Sequence, residues 1–314
     1  MTDEAAGGAL DNVDRPPMLS GVLVTYRRPD DLAAMLDALA AQQRPLDRLV
    51  VVDNDPSPES RALVAQRAPA AEYVAAPGNL GPAGGIAVGM GLLLVGATDD
   101  DWIVTLDDDD PPGPTVFAEL ADFAHRARTR DPRVGAVGAS GVRFDRRRGR
   151  VIRIPDEELD GPVPVDSIGG NRWPTYSVRA IRAVGTFRSE LFFGHEELEF
   201  GLRLADAGFV LLSLGPMQHR MRVERGRLAI DYKPSFAVSH VDWRRYYSLR
   251  NLVRILCLRR AVFGALYVTV VVGIGKPVVN LVRDPRVALE NLRWNLRALR
   301  DGWSGRMGRT VEPG

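Results

Sequence analysis

The sequence of 314 residues predicts an α/β fold, a mixed, mostly parallel sheet flanked by helices, with a helical extension at the C-terminus. Three observations carry this. Short apolar runs alternate with helix-period stretches through the first half. Three of those runs end in polar residues of the kind that bind ligands. Hydrophobic residues at 45% and charged residues at 26% sit at globular averages, which excludes collagen-like, coiled-coil and wholly disordered chains.

Residues 1–18 are small, polar and acidic, lack the basic and apolar regions of an export signal, and are expected to be a disordered lead-in to a domain over 19–241. Gly21-Val22-Leu23-Val24 predicts a strand over Ser20–Thr25, and Leu32, Met35, Leu36 and Leu39 have helical spacing behind it. Leu49–Val52 repeats the strand signal and runs into Asp53-Asn54-Asp55-Pro56, after which Ser60–Arg67 reads as helix. Tyr73–Ala75 and Trp102–Leu106 are further short strands, separated by a Gly-rich turn and a helix over Gly85–Val95. From Arg143 to Val165 the chain is irregular, charged and Pro-rich, and Trp173–Phe193 is mixed, so loops and antiparallel strands are expected there. Phe200–Ala207 is helical up to Gly208, and Phe209–Leu214 is a strand. Over 242–314 the sequence turns helical and basic: Tyr246–Arg259 has helical spacing, Ala261–Gly275 carries no charge, and Leu289, Leu292, Leu296 and Leu299 share one face.

Net charge is +1, but it is split. Residues 241–314 carry a net of +9 and the first 240 a net of −8, so two surfaces with different partners are expected. The single Cys257 excludes a disulfide framework and any multi-cysteine metal site.

In open α/β sheets ligands bind beyond the carboxyl ends of the strands. Those positions hold Thr25-Tyr26-Arg27, Asp53-Asn54-Asp55 and Asp107-Asp108-Asp109-Asp110. Four consecutive carboxylates repel one another unless they are solvated or neutralised, and oxygen-only ligands select a hard cation, Mg²⁺ or Mn²⁺. Alternation along an extended segment lets Asp107 and Asp109 face one way and Asp108 the other. The plain reading of the run is a solvated acidic turn, of the kind Asp99-Asp100-Asp101 forms; position separates them, since one cluster precedes a strand and the other follows it. Gly78–Gly85 opens a helix and offers backbone amides to a nucleotide, but it is neither a dinucleotide fingerprint nor a phosphate loop, and its glycines serve tight packing equally well. In Phe192–Leu204, aromatics surround Glu196, Glu197 and Glu199, an environment that lifts a carboxylate toward general-base range. For Glu199 an ordinary surface helix with an i,i+4 partner in Arg203 is the better reading. His195, His219 and His240 are each more simply structural, with His219 the one placed after a strand.

Taken in order, Val24–Pro29, Val52-Asp53-Asn54, Asn79-Leu80-Gly81, Leu106–Asp109, Phe193–Arg203 and Tyr246-Tyr247-Ser248-Leu249-Arg250-Asn251 resemble the inverting nucleotide-sugar glycosyltransferases of family 2, of GT-A fold, over roughly 19 to 256. The branch they resemble most is the bacterial rhamnosyl- and galactofuranosyltransferases that build cell-envelope polysaccharides on lipid-linked acceptors. The resemblance implies a UDP- or dTDP-linked donor held by Thr25, Tyr26, Arg27, Asp53, Asn54, Asn79, Asp107 and Asp108. It implies a metal at Asp107 and Asp109 completed by His219, with His240 as the second candidate. It implies Glu197 as base, with Glu196 the alternative because the pair replaces the usual aspartate, and acceptor contacts at Trp173 and His195. A non-catalytic membrane-associated scaffold that keeps the nucleotide-sugar pocket is the competing reading.

Ala261–Gly275 is shorter than the roughly 20 residues that span a bilayer, and Lys276-Pro277 is expected to end it. With Arg259, Arg260, Arg283, Arg286, Arg293, Arg297, Trp294 and Trp303 around it, an interfacial helix pair on anionic lipid is expected, at the inner face of the cell membrane of a cytoplasmic protein. The competing reading buries these helices on the catalytic domain or in a homo-oligomer. Nucleic acid is not an expected partner.

Overall fold

A computed structural model describes residues 15–228 and 242–312. Its main sheet has eight strands in the order β3-β2-β1-β4-β10-β5-β11-β8. They are β1 (Leu19–Thr25), β2 (Arg48–Asp53), β3 (Glu72–Ala75), β4 (Trp102–Asp107), β5 (Val134–Gly138), β8 (Pro162–Val165), β10 (Thr175–Ser177) and β11 (Val210–Leu214). The first four are parallel; β10 and β8 run against their neighbours, as the Pro-rich middle of the sequence leads one to expect. A small sheet of β6 (Gly141–Asp145), β7 (Arg150–Ile152) and β9 (Ser167–Ile168) lies beside it.

Helices α1 (Pro29–Ala40), α2 (Pro58–Arg67) and α4 (Val116–Arg130) cover one face through Leu32, Met35, Val64, Phe117 and Leu120. Helices α3 (Gly81–Leu93), α5 (Val178–Val184) and α6 (Glu196–Asp206) cover the other through Ile86, Met90, Ile181 and Phe200. Strands buried on both faces explain the nearly unbroken apolar run of β1, buried along all 7 residues. Helix α3 starts four residues before the predicted Gly85, and Gly85 and Gly89 press it onto Val24 and Val22 of β1. Within the Gly78–Gly85 stretch, Gly85 thus serves helix–sheet packing, while Gly81 and Gly84 lie against Phe192 and Leu80.

After α7 (Gly215–Glu224), the C-terminal residues form α8 (Trp243–Leu258), α9 (Val262–Tyr267), a π-helical segment (Val268–Gly275), α10 (Lys276–Asn280) and α11 (Pro285–Ser304). Tyr246, Tyr247 and Val253 of α8 build a third core with Phe192, Leu198 and Leu202 from the preceding part of the chain and with Ala298 and Leu299 of α11. Lys276-Pro277 does not end the apolar run. Proline is tolerated in a first helical turn, and here it opens α10, so the helix continues from Val262 to Asn280, 19 residues with mean hydropathy 1.9.

Candidate active site

The parallel register puts Thr25 beside Asp53 and Val24 beside Asp107, so the ends of β1, β2 and β4 meet along one edge. Above that edge lies a cleft of about 670 Å³. Thr25, Tyr26, Arg27, Asn54 and Asn79 line it on one side, and Asp107, Asp108, Asp109, Glu196 and Glu197 on the other. Asn54 ties the wall together: its side chain donates to the Gly81 carbonyl at 3.1 Å and accepts from the Leu80 amide at 3.2 Å. Asn79 accepts from the Gly81 amide at 2.8 Å, holding a residue whose φ of 68° only glycine adopts without strain. Thr25 Oγ1 donates to buried Asp108 at 2.8 Å, and Arg28 bridges Asp108 and Asp109 at 3.3 and 2.9 Å. Asp110 is pinned by Arg172 and Arg225 at 3.1 and 3.2 Å.

Gly170 decides the acidic geometry. A β-carbon there would stand 2.5 Å from Asp107 Oδ2 and 2.6 Å from Glu197 Oε1, so both carboxylates converge on one point from different elements. Burial pushes Asp107 up to about 7, helped by the charges of Glu197 and its neighbours in the run. Burial also raises Glu197, against amide hydrogen bonds from its own backbone and from Gly170 that favour the ionised form. Glu196 is pushed far higher by burial and by Glu197, and its Oε2 is buried without a partner. Of the two, Glu196 therefore holds its proton the more strongly. Asp107 and Asp109 offer oxygen donors only, which fits Mg²⁺ or Mn²⁺. Among the described residues no three Asp, Glu, His or Cys side chains converge as a complete cage, so the ion that fits is one whose shell is finished by water and phosphate oxygens.

Residues 20–175 match Glycosyl transferase family 2. The chain carries a glycosyltransferase family 2 domain. It is 35% identical to galactofuranosyltransferase GlfT1 of Mycolicibacterium smegmatis over 205 residues, 61% of this chain and 66% of that protein. It is also 35% identical to GlfT1 of Mycobacterium tuberculosis over 197 residues, 60% of this chain and 64% of that one. The chain thus spans just under two thirds of these relatives. The fold of this glycosyltransferase domain is that of a Pyrobaculum calidifontis mannosyltransferase solved with GDP-Man and Mn²⁺, at a TM-score of 0.51 and 16% identity, covering 92% of this chain and 76% of that one.

Several expected site residues lie elsewhere. His219 is exposed on α7 and does not line the cleft, because the strand before it, β11, lies beyond β10 and β5 from β4. His240 lies outside the described residues. Trp173 is no acceptor platform: it is 6% exposed in the core, and its indole donates to the Asp110 carbonyl at 3.1 Å. Asp53 is buried beneath the cleft with both oxygens engaged, by Tyr73 at 2.8 Å and the Asp55 amide at 3.0 Å. His195 precedes α6 with φ 66°, outside the cleft lining, and burial pulls its imidazole down to about 4. Glu199 is no surface residue; it is buried under Arg188 and Arg203 at 3.1 and 3.0 Å, and its carbonyl accepts from Arg259 at 3.0 Å. Trp243 lines the cleft instead, beside Tyr26, Phe192 and Phe193, and packs edge-on against Phe193 at 4.9 Å. Its one sequence signal was an indole at the first turn of a helix, next to a motif already quoted.

Proposed function

We propose that the protein transfers a sugar, with inversion, from a nucleoside-diphosphate donor to a hydroxyl of a glycan or lipid-linked acceptor. The observation that carries this reading is the convergence of Asp107 and Glu197 on one point in a cleft walled by Thr25, Asn54 and Asn79. Galactofuranose is the proposed sugar, following the relatives' name, with rhamnose as the alternative; UDP and dTDP are the nucleotides to test.

Thr25, Tyr26, Arg27, Asn54 and Asn79 bind and orient the donor, and Asp108 is held in place by Thr25 and Arg28. Asp107 and Asp109 would hold a divalent cation, whose chemistry is to offset the charge that gathers on the leaving diphosphate. Glu197 takes the proton of the acceptor hydroxyl; the freed oxygen bonds to the anomeric carbon while the bond from that carbon to the diphosphate breaks. Glu196, raised by burial and by the charge of Glu197, holds its proton more strongly than its neighbour.

Incubation with UDP-galactofuranose, dTDP-rhamnose and Mn²⁺ should release nucleoside diphosphate from one of them. Glu197→Gln should lower that turnover by about 10²–10⁴-fold while leaving binding of the nucleotide with Mn²⁺ nearly unchanged. Full turnover in Glu197→Gln with loss in Glu196→Gln would move the base to Glu196; binding with no turnover in the native protein would favour the scaffold reading. Comparing His219→Ala with His240→Ala tests the metal histidine, and His219→Ala is expected to keep its response to Mn²⁺.

The outer C-terminal face is proposed as the seat of an anionic membrane surface. Phe263 is 85% exposed, and Leu266, Val270, Val279 and Leu289 of the same C-terminal helices are exposed with it, as are Arg260, Arg283, Arg286 and Arg293. Gly264, Ala265, Val268 and Gly273 bury the opposite side against the protein, which supports a peripheral seat over a span.

A further inference from the structure

The motif Tyr246–Asn251 contributes no reacting group, yet it is buried to the last atom of Arg250 and Asn251. What it touches is the turn just ahead of the two glutamates. Phe192 has φ 63° and ψ −64°, and the Phe193 amide donates to the Leu191 carbonyl at 2.7 Å, which together make a γ-turn of the rare, strained kind. Gly194 and His195 follow with φ 83° and 66°. Three of the four residues before Glu196 thus lie in the left-handed half of the map, two of them with a side chain that opposes it. Such a turn points its carbonyls away from any helix or strand ladder, and without partners it would relax.

Asn251 supplies those partners. Its amide nitrogen lies 3.0 Å from the Leu191 carbonyl, 3.0 Å from that of Phe193 and 2.7 Å from that of Gly194. Which end of the amide faces the turn is fixed by Arg250, whose Nε and Nη2 donate to Asn251 Oδ1 at 2.9 and 2.8 Å. Arg250 adds a bond to the Leu191 carbonyl at 2.8 Å and one to Gly308 at 2.6 Å, and the Gly308 amide donates to the Glu190 carbonyl at 2.7 Å. The C-terminal chain therefore closes over the far side of the same turn.

We propose that Asn251, oriented by Arg250, is a positioning residue for the transfer reaction: it holds the strained Leu191–His195 turn that delivers the first turn of α6, and with it Glu197, opposite Asp107. Asn251 does not line the cleft and acts only through the turn. The inference rests on the reading of Glu197 as base.

Asn251→Asp tests it, since the carboxylate keeps the size and the bond from Arg250 but cannot donate to the three carbonyls. Release of UDP from UDP-galactofuranose with Mn²⁺ should fall at least about tenfold in kcat with donor KM held within about twofold, the split expected when a group is misplaced and donor binding is not. The double variant Glu197→Gln/Asn251→Asp should be no slower than Glu197→Gln alone, because both changes disable one group. Native kcat in a folded Asn251→Asp beside an inactive Glu197→Gln overturns the positioning role and leaves the base reading standing; an active Glu197→Gln sinks the base reading itself. Hydrogen exchange on the unaltered protein covers the case of a variant that does not fold: amides 193–195 should exchange as slowly as those of α6, and exchange at the rate of an open loop rejects the clamp.

Discussion

At Asp107 several negative charges meet. It faces Glu197 and three neighbouring aspartates in a buried setting, and its carboxyl is lifted to about 7, above the roughly 4 of an unfolded chain. In the metal-free protein the folded state therefore bears a cost that is complete above pH 7, fades as pH falls through that value, and is absent below about 4. Thermal unfolding without divalent ions should show Asp107→Asn stabilised relative to the native protein at pH 8, with the gap closing by pH 5; an equal gap at both values would contradict the conflict. Mn²⁺ binding, which needs the ionised form, should tighten as pH rises toward 7 and release protons, measurable by calorimetry in two buffers. The aspartate run was legible because position after a strand is a local property. That its first member meets Glu197, 90 residues on in the sequence, was not.

Among the elements, the short turn Gly170–Arg172 and helix α11 show how backbone approach overrides side-chain pattern. Gly170→Ala would push a methyl group into both Asp107 and Glu197. A displacement of such groups by about 1 Å can cost on the order of 100-fold in rate, so Gly170→Ala should lose activity by that order while its melting temperature moves little, the turn lying at the rim of the sheet. In α11 the leucine stripe predicts the buried face, yet Leu289 and Leu296 are exposed and Ala288, Asn291, Asn295 and Ala298 point inward. The reason is the π-helical segment against which α11 packs: Gly273 leaves room for the Leu299 side chain, and Asn295 donates to the Gly273 carbonyl at 2.8 Å. Helix periodicity measures where apolar residues lie, and here backbone closeness decided which side went in.

At the scale of the whole molecule the question is what the C-terminal layer does. It is no free basic tail: Arg259 is spent on Glu199, and Arg250 on the turn before α6. Arg260, Arg283, Arg286 and Arg293 stay exposed, each worth about 1 kcal/mol at an anionic surface. The protein should float with vesicles containing phosphatidylglycerol and less so with neutral ones, and high salt should weaken binding. Phe263→Asp, at a site with no packing to lose, should abolish flotation while leaving the melting temperature and donor turnover unchanged. Concentration-dependent dimers that vanish in Phe263→Asp, with no flotation of the native protein, would instead assign this face to a second copy of the chain.

The sequence alone determined the alternation of strands and helices and the edge at which Thr25, Asn54 and Asp107 collect, because apolar periodicity and the residues that end a strand are written locally. Only the tertiary structure decided that Glu197 and not Glu199 faces Asp107, that Trp243 and not Trp173 lines the cleft, that His219 stands apart, and that Asn251 bonds a strained turn 57 to 60 residues before it. Each of these is a meeting of distant segments, fixed by how strands order in the sheet and how closely glycine lets backbones approach, and no window of local sequence contains either quantity.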